Sequence, residues 1–388
     1  MPLNKIHMDA LYDFQYFILI AVLLIVPKVL QRYRIPGGLS ALAMGVAAGY
    51  FWGVYKSDAV VSLFATLGIT TLFLFAGLEV SVTEIKRDFR FLAKHLLAGL
   101  VLLLIGGILL RYFFDLSLRA SLLLSLGLLT PSTGFILDTL HTYAFDQRET
   151  KWIRSKAIAM EILALGVLFF TLQSDSLLNL FLSMTLLIGL VFALPPLFRL
   201  FVEKVSPHAP QSEFAFLILM ALLAGVLTRE LGAYYLVGAF VVGVVARRCE
   251  FMAPSFQAES ALSSLRLFFS FFIPFYFFKS GHAIDITQLT WKGVLTGVVL
   301  LLVFVPIRFS SLIYSLRYFH EERWQKMTQI SLSMLPTLVF GLVVADILKT
   351  DYGLPKEIFA GLMLYTVVVS AFPSFFIQPA IKGEFKPL

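Results

Sequence analysis

Long apolar runs separated by short polar loops make up most of this chain. About 20 apolar residues in a helix, at about 1.5 Å per residue, cross the hydrocarbon core of a bilayer. The runs are continuous rather than alternating, which favours helices over a transmembrane barrel. The pattern predicts an all-α polytopic membrane protein with about 13 transmembrane helices. Their approximate limits are 14–30, 39–55, 59–80, 91–114, 118–140, 153–172, 176–200, 213–228, 231–247, 263–281, 291–316, 324–347 and 357–379.

Two of these predicted helices contain a proline near mid-length. The fifth includes Leu129-Thr-Pro-Ser-Thr-Gly134, and the twelfth includes Ser333-Met-Leu-Pro-Thr337. Proline removes a backbone donor and clashes with the preceding turn, so each helix is expected to kink or unwind there. An ordinary kink repaired by serine and threonine side chains is the alternative, because freed backbone groups in a membrane must face protein or water.

The two interruptions fall in corresponding members of two six-helix sets, helices 1–6 and helices 8–13. Paired interruptions of this kind are typical of a transport site built from inverted repeats. The sequence therefore predicts one transmembrane transporter domain over residues 1–388. Its first repeat covers about 14–172, a linker helix about 176–200, and the second repeat about 213–379, with no soluble regulatory domain.

One acidic residue, Glu161, lies inside the sixth apolar run. It is about 12 Å along the helix from the charged end at Arg154 and Lys156. An ionised carboxylate at that depth costs at least a few kcal/mol unless it is paired, hydrated or protonated. A site that holds either a proton or a metal cation removes this cost in two alternating ways. A structural ion pair is the alternative.

Composition and charge support a membrane protein and set its orientation. The chain is 59% hydrophobic and 14% charged, whereas about a quarter of the residues of a soluble protein are charged. The net charge of +7 lies mainly in short loops, so it indicates orientation rather than nucleic-acid binding. Basic residues, Lys156 among them, concentrate in the loops after odd-numbered helices. This bias predicts a multi-pass protein of the cell (inner) membrane, with its N-terminus outside and its C-terminus in the cytoplasm.

Several segments in order resemble a known family of transporters. They are Arg32-Tyr-Arg-Ile-Pro-Gly-Gly-Leu39, Leu67 to Glu79 with its Leu-Phe-Ala-Gly-Leu-Glu end, Thr130-Pro-Ser-Thr133, Leu236-Val-Gly-Ala-Phe-Val-Val-Gly243, and Phe272 to Gly281 followed by Ile284-Asp285. Together they resemble the second monovalent cation:proton antiporter family, the Kef- and Nap-type group, and they cover most of the chain. The resemblance implies an NhaA-like fold of two inverted six-helix repeats with crossed broken helices. It also implies a core domain (helices 4–6 and 11–13) that moves against a dimerisation domain in a homodimer.

The resemblance also assigns roles to particular residues. Glu161 falls where the family has its cation-binding aspartate, although its neighbour Met160 replaces a polar or acidic residue. Arg308 falls where the family has a membrane-embedded lysine or arginine and would compensate charge. The implied cation- and proton-binding residues beside Glu161 are Thr130, Ser132 and Thr133, and the implied broken-helix residues are Pro131, Pro336 and Thr337.

Glu161 and Arg308 lie at similar predicted depths, each about 12 Å from the cytoplasmic surface. We therefore expect that a proton, a cation and Arg308 share Glu161 in turn. A permanent bridge between the two residues is the competing hypothesis. A single acid predicts the electroneutral exchange of one cation for one proton. Asp138 and Glu79 are the other acids considered, with a helix-end cap and an interfacial carboxylate as their alternative roles.

Lys279 departs from the family pattern, which has a small or apolar residue at this position. A snorkelling lysine near the end of the tenth helix is one interpretation. The other is an additional fixed charge that compensates or gates the cation site. The lone Cys249 allows no internal disulfide.

The predicted function is a secondary active transporter that exchanges Na⁺ or K⁺ for protons by alternating access. The alternatives are a gated Kef-like K⁺ efflux system with a separate soluble regulatory partner, and a transport-inactive membrane subunit or sensor. No cofactor and no enzyme activity are expected. The histidines, including His95, His141 and His208, are predicted near or in loops without metal-ligand spacing, and no Walker loop or Gly-x-Ser-x-Gly segment occurs.

Overall fold

The computed structural model describes twelve stretches of the chain. They are residues 2–53, 55, 58–80, 89–140, 142–174, 176–209, 212–232, 234–249, 270–284, 286, 290–318 and 326–377. Within them, the side chains of residues 2–13, 89–92 and 138 are not described. Asp285, His141 and the first part of the predicted tenth helix lie outside the described residues, as does the side chain of Asp138.

The described residues form fifteen helices. They are α1 (Pro2–Gln31), α2 (Gly37–Phe51), α3 (Ala59–Leu78), α4 (Phe89–Phe114), α5 (Leu118–Leu129), α6 (Thr133–Leu140), α7 (Gln147–Gln173), α8 (Leu177–Lys204), α9 (Glu213–Glu230), α10 (Tyr235–Arg248), α11 (Ile273–His282), α12 (Trp291–Tyr318), α13 (Met327–Ser333), α14 (Leu338–Asp351) and α15 (Lys356–Phe376).

Two pairs of these helices are the predicted broken helices. The first pair, α5 and α6, is separated at residues 130–132, and the second pair, α13 and α14, is separated at residues 334–337. Counted once each, the pairs reduce the fifteen helices of the described stretches to the predicted thirteen. Nine spans in these stretches are long and apolar enough to cross a membrane. The all-helical membrane fold is therefore confirmed.

Helix α7 begins earlier than its hydrophobic pattern indicated. The side chain of Asp146 accepts a hydrogen bond from the backbone of Glu149, and the Glu149 side chain accepts one from the backbone of Asp146. This reciprocal capping box fixes the helix start at Gln147, six residues before the predicted limit. Lys156 therefore lies well inside the helix rather than in a loop, which corrects its predicted position.

The chain divides into two compact units. The first contains residues 1–68 and 269–286. Its main contact joins α2 to α11, where a side chain at Gly45 would overlap the backbone of Phe278 and one at Gly281 would overlap that of Leu42. Glycines at both positions let the two helices approach closely, as is common between membrane helices.

The second unit contains residues 69–268 and 287–388. Its core includes α5 and α14, which are almost entirely buried, and α12 packs along α15. Polar groups also join its helices, since the Ser125 hydroxyl on α5 donates a 2.8 Å hydrogen bond to the Leu103 carbonyl on α4. Both broken helices lie in this unit, and so does Glu161.

Candidate functional site

The two helix breaks cross and are joined through Ser132. Its backbone N–H donates a 2.8 Å hydrogen bond to the Pro336 carbonyl in the other break. Its hydroxyl oxygen accepts hydrogen bonds from the backbone N–H groups of Val339, at 2.8 Å, and Phe340, at 3.3 Å. These two N–H groups are in the first turn of α14 and have no intrahelical partner, so Ser132 caps a helix distant in sequence.

Arg308 lies on α12 and is directed at the end of α13. Its Nη1 donates to the Leu335 carbonyl at 2.6 Å, and its Nη2 donates to the Met334 carbonyl at 3.0 Å. Arg308 as a whole is 4% exposed. The last carbonyls of a helix carry partial negative charge, so a permanent cation here stabilises the broken end. Tyr365 extends the contact, because it accepts from Arg308 at 3.4 Å and donates to the Leu128 carbonyl at the end of α5.

Glu161 is on α7 and is 4% exposed. Its carboxyl group is close to the Thr133 hydroxyl at the start of α6, yet Oε2 has no hydrogen-bond partner of good geometry. In the described part of the chain, Glu161 forms no ion pair, and the donors of Arg308 are directed at backbone carbonyls instead. Glu161 and Arg308, which were expected to interact, are therefore both buried but form no ion pair with each other.

Four buried threonine hydroxyls in the second unit, like Oε2 of Glu161, have no hydrogen-bond partner among the described residues. Thr130 and Thr133 flank the first break, Thr337 lies in the second, and Thr366 is on α15. Buried polar atoms are nearly always hydrogen-bonded, so unpaired ones indicate a place for an ion or for water. Hydroxyl and carboxylate oxygens are the ligands that hard cations take. The Thr133 hydroxyl and the Glu161 carboxylate, which lie close together, are thus groups of the kind that a monovalent cation takes as ligands.

The structure also describes the other residues that the sequence singled out. Lys279 is exposed on α11, in the first unit. Glu79, at the end of α3, forms a 3.5 Å ion pair with Arg154. Pro131 and Pro336 occupy the two breaks, as predicted, and the Pro336 carbonyl accepts the hydrogen bond that joins the breaks.

Sequence reasoning missed a buried basic cluster beside the site. Nδ1 of His95 on α4 is 2.6 Å from Nζ of Lys156 on α7 and 2.8 Å from Oγ of Ser315 on α12. His95 lies in the second turn of α4 and is 1% exposed, so it is buried in the helix packing. The capping box at Asp146 and Glu149 is the signal that could have placed Lys156 inside a helix. No local signal pointed to His95, which has Lys94 beside it and a long apolar run after it.

Comparison with known proteins identifies the class. Residues 18–383 match the family described as the transmembrane sodium/hydrogen exchanger. A probable Na⁺/H⁺ antiporter 3 of Methanocaldococcus jannaschii is 26% identical over 375 residues, which are 92% of this chain and 94% of that protein. Cation/H⁺ antiporter 18 of Arabidopsis thaliana is 24% identical over 354 residues, which are 86% of this chain and 42% of that protein.

A solved structure has the same fold. The sodium proton antiporter MjNhaP1 of Methanocaldococcus jannaschii, determined at pH 8, is similar with a TM-score of 0.67 and 17% identity; the match covers 95% of this chain and 96% of that one. The protein is therefore a membrane transporter of the secondary cation/proton exchanger class, and not an enzyme. The chain belongs to the sodium/hydrogen exchanger family.

Proposed function

We propose that Glu161 is the exchange group, which holds a proton and a monovalent cation in turn. The observation that supports this assignment is a buried carboxylate that forms no ion pair among the described residues, whose Oε2 has no hydrogen-bond partner, and which lies close to the Thr133 hydroxyl. An ionised carboxylate in that place needs a bound cation, and a protonated one needs none. The names of the relatives favour Na⁺ as the cation, with K⁺ as the alternative.

In this proposal some of the other predicted residues bind the cation, and the rest maintain the structure of the two breaks. Thr130 and Thr133 supply oxygen ligands near Glu161. Ser132 keeps the crossed breaks together, because its hydroxyl oxygen already accepts two backbone hydrogen bonds. Arg308 compensates the carbonyl end of α13 rather than Glu161 itself. Pro131, Pro336 and Thr337 keep the breaks open, and Lys279 lies outside this group of residues.

The transport cycle that follows is an electroneutral exchange by alternating access. One carboxylate accepts one proton or one cation, so each cycle moves no net charge. We propose two inverted repeats in one transmembrane domain, a homodimer, an outer N-terminus and a cytoplasmic C-terminus. A separate soluble regulatory partner belongs to the alternative of a gated K⁺ efflux system.

The test is cation-driven proton flux in proteoliposomes. A pH-sensitive dye inside the vesicles reports exchange when Na⁺, K⁺ or Li⁺ is added outside. We expect Na⁺ to drive flux in the wild type, Glu161→Gln to reduce it to background, and Glu79→Gln, which changes an acid in an interfacial ion pair, to retain it. An imposed membrane potential should leave the rate unchanged. Transport by Glu161→Gln at the wild-type rate would contradict the assignment, and absent flux from folded wild type would favour a transport-inactive subunit.

A further inference from the structure

A cavity of about 90 Å³ lies in the second unit, between α4, α7 and α12. Pro131 of the first break and Met334 of the second both line it. So does Met160, the residue before Glu161. A space of this volume, lined in part by polar groups, has room for several water molecules. The cavity therefore brings space for water to the edge of the proposed exchange site.

The polar lining of this cavity is basic. Its charged and titratable side chains are His95 from α4, Lys156 from α7, and Arg308 and Tyr314 from α12, together with the hydroxyls of Ser311 and Ser315. No carboxylate is among the described residues that line it. A metal cation in this space meets positive charge in a medium of low dielectric, where like charges repel strongly. The cavity therefore disfavours a bound metal cation, whereas its basic nitrogens can take up and release protons.

The contact between Lys156 and His95 limits the number of protons that the pair can hold. A nitrogen–nitrogen distance of 2.6 Å is a hydrogen bond, so one of the two nitrogens must act as the acceptor. A lysine ammonium and an imidazolium have no free lone pair between them, so they cannot both be present in this geometry. The pair therefore holds one proton fewer than its maximum. The proton of this bond belongs to either nitrogen.

We propose that His95 and Lys156 form a proton relay between the water of this cavity and Glu161. The inference rests on the proposed role of Glu161. In the inward proton step, the proton held between the two nitrogens of the pair passes through cavity water beside Met160 to the Glu161 carboxylate. A hydronium ion in the cavity then returns the lost proton to the pair. An N–H bond breaks, an O–H bond forms, and the bound cation leaves; the reverse sequence returns the proton to solvent.

Chemical rescue tests this relay in the full-length protein. We expect His95→Ala to slow exchange by about tenfold or more, because positioned acid–base groups typically contribute factors of at least 10². Imidazole added on the cavity side should restore the rate, and a series of substituted imidazoles should restore it in the order of their basicity. The KM for Na⁺ should stay near that of the wild type, since the cation ligands are untouched.

A second variant separates proton transfer from structure. His95→Gln keeps hydrogen-bonding groups for Lys156 and Ser315 but cannot carry a proton, so we expect it to be as slow as His95→Ala. Recovery of the full rate by His95→Gln would show a structural role and would overturn the relay. Lys156→Met should displace the pH profile of exchange, whereas Lys94→Met, on an exposed lysine beside His95, should leave it unchanged.

The outcomes also distinguish the relay from the proposed function. If the His95 variants exchange at the wild-type rate while Glu161→Gln is inactive, the relay fails and Glu161 keeps its role. If Glu161→Gln itself transports, the proposed function fails first. Should His95→Ala fail to fold, the comparison of His95→Gln with Lys156→Met carries the same decision.

Discussion

The two helix breaks of this protein are similar in backbone and differ in the way their polar groups are satisfied. At the second break, fixed groups bind the backbone, since Arg308 binds the carbonyls of Met334 and Leu335 and Ser132 caps α14, although the Thr337 hydroxyl has no partner among the described residues. At the first break, the hydroxyls of Thr130 and Thr133 have no partner in the described part of the chain. The permanent charge of Arg308 thus stabilises the second break, and the hydroxyls of the first break stay available to a ligand.

This difference indicates that the two breaks have different roles. A cation that binds and leaves needs ligands that protein groups do not already occupy. In the proposed function those ligands are at the first break, near Glu161, while the hydrogen bonds of Arg308 and Ser132 hold the second break without any ion. We therefore expect changes at the second break to reduce stability and changes at the first to reduce transport.

The largest expected effect on transport comes from Glu161. Glu161→Gln should abolish cation-driven flux, because an amide neither binds a proton reversibly nor carries the charge that attracts a cation. It should not destabilise the fold by more than about 1 kcal/mol, since Oε2 has no hydrogen bond to lose. Thermal unfolding in detergent, measured beside the flux, checks both parts. A variant that unfolds much more easily would show that Glu161 is structural.

The largest expected effect on stability comes from Arg308. Arg308→Met leaves two buried carbonyls without donors, and hydrogen bonds from a charged group are worth about 1.5–3 kcal/mol each. We expect a loss of about 3 kcal/mol, with Arg308→Lys intermediate because lysine keeps the charge but not the fork of donors. The control is Arg199→Met, which removes an exposed ion pair to Glu203 and should cost less than about 1 kcal/mol. Similar unfolding temperatures for the two variants would contradict the comparison.

A feature of this molecule can be predicted from the sequence when its signal lies within a single helix. Pro131 and Pro336 act on their own helices, and an acid such as Glu161 in an apolar run is conspicuous by itself, so the breaks and the buried carboxylate were predicted. Arg308 was predicted as a buried cation, but its partners, 26 and 27 residues away, were not. Contacts of this kind depend on how helices pack, which composition and periodicity do not specify.

The basic cluster of His95 and Lys156 is a second set of contacts between helices that the sequence did not predict. His95 and Ser315 are 220 residues apart, and Lys156 reaches them from a third helix. Nothing in the sequence near any of the three residues points to the other two. The structure begins α7 at Gln147, so Lys156 lies in its third turn, where it meets His95. The fold and the buried carboxylate are therefore accessible from sequence, and the polar surroundings of that carboxylate are not.

A moderate effect is expected at the junction of the two breaks. Ser132→Ala removes the oxygen that caps α14 but keeps the backbone hydrogen bond to Pro336. Loss of an N-cap side chain costs about 0.5–2 kcal/mol. We expect a lower unfolding temperature with the apparent affinity for Na⁺ changed little, because the oxygen already accepts two N–H groups. A large rise in the KM for Na⁺ with unchanged stability would instead make Ser132 a cation ligand.

The smallest expected effect on stability, and the clearest contrast with Ser132, is at Thr133. Thr133→Val keeps the shape of the side chain and removes a hydroxyl that has no hydrogen-bond partner. Stability should stay the same or rise slightly, because an unsatisfied buried polar atom is removed. Loss of one oxygen ligand should raise the KM for Na⁺, by about fivefold for about 1 kcal/mol. Flux titrations with Na⁺, together with thermal unfolding, separate the two quantities, and destabilisation without a change in KM would assign Thr133 to the scaffold alongside Ser132.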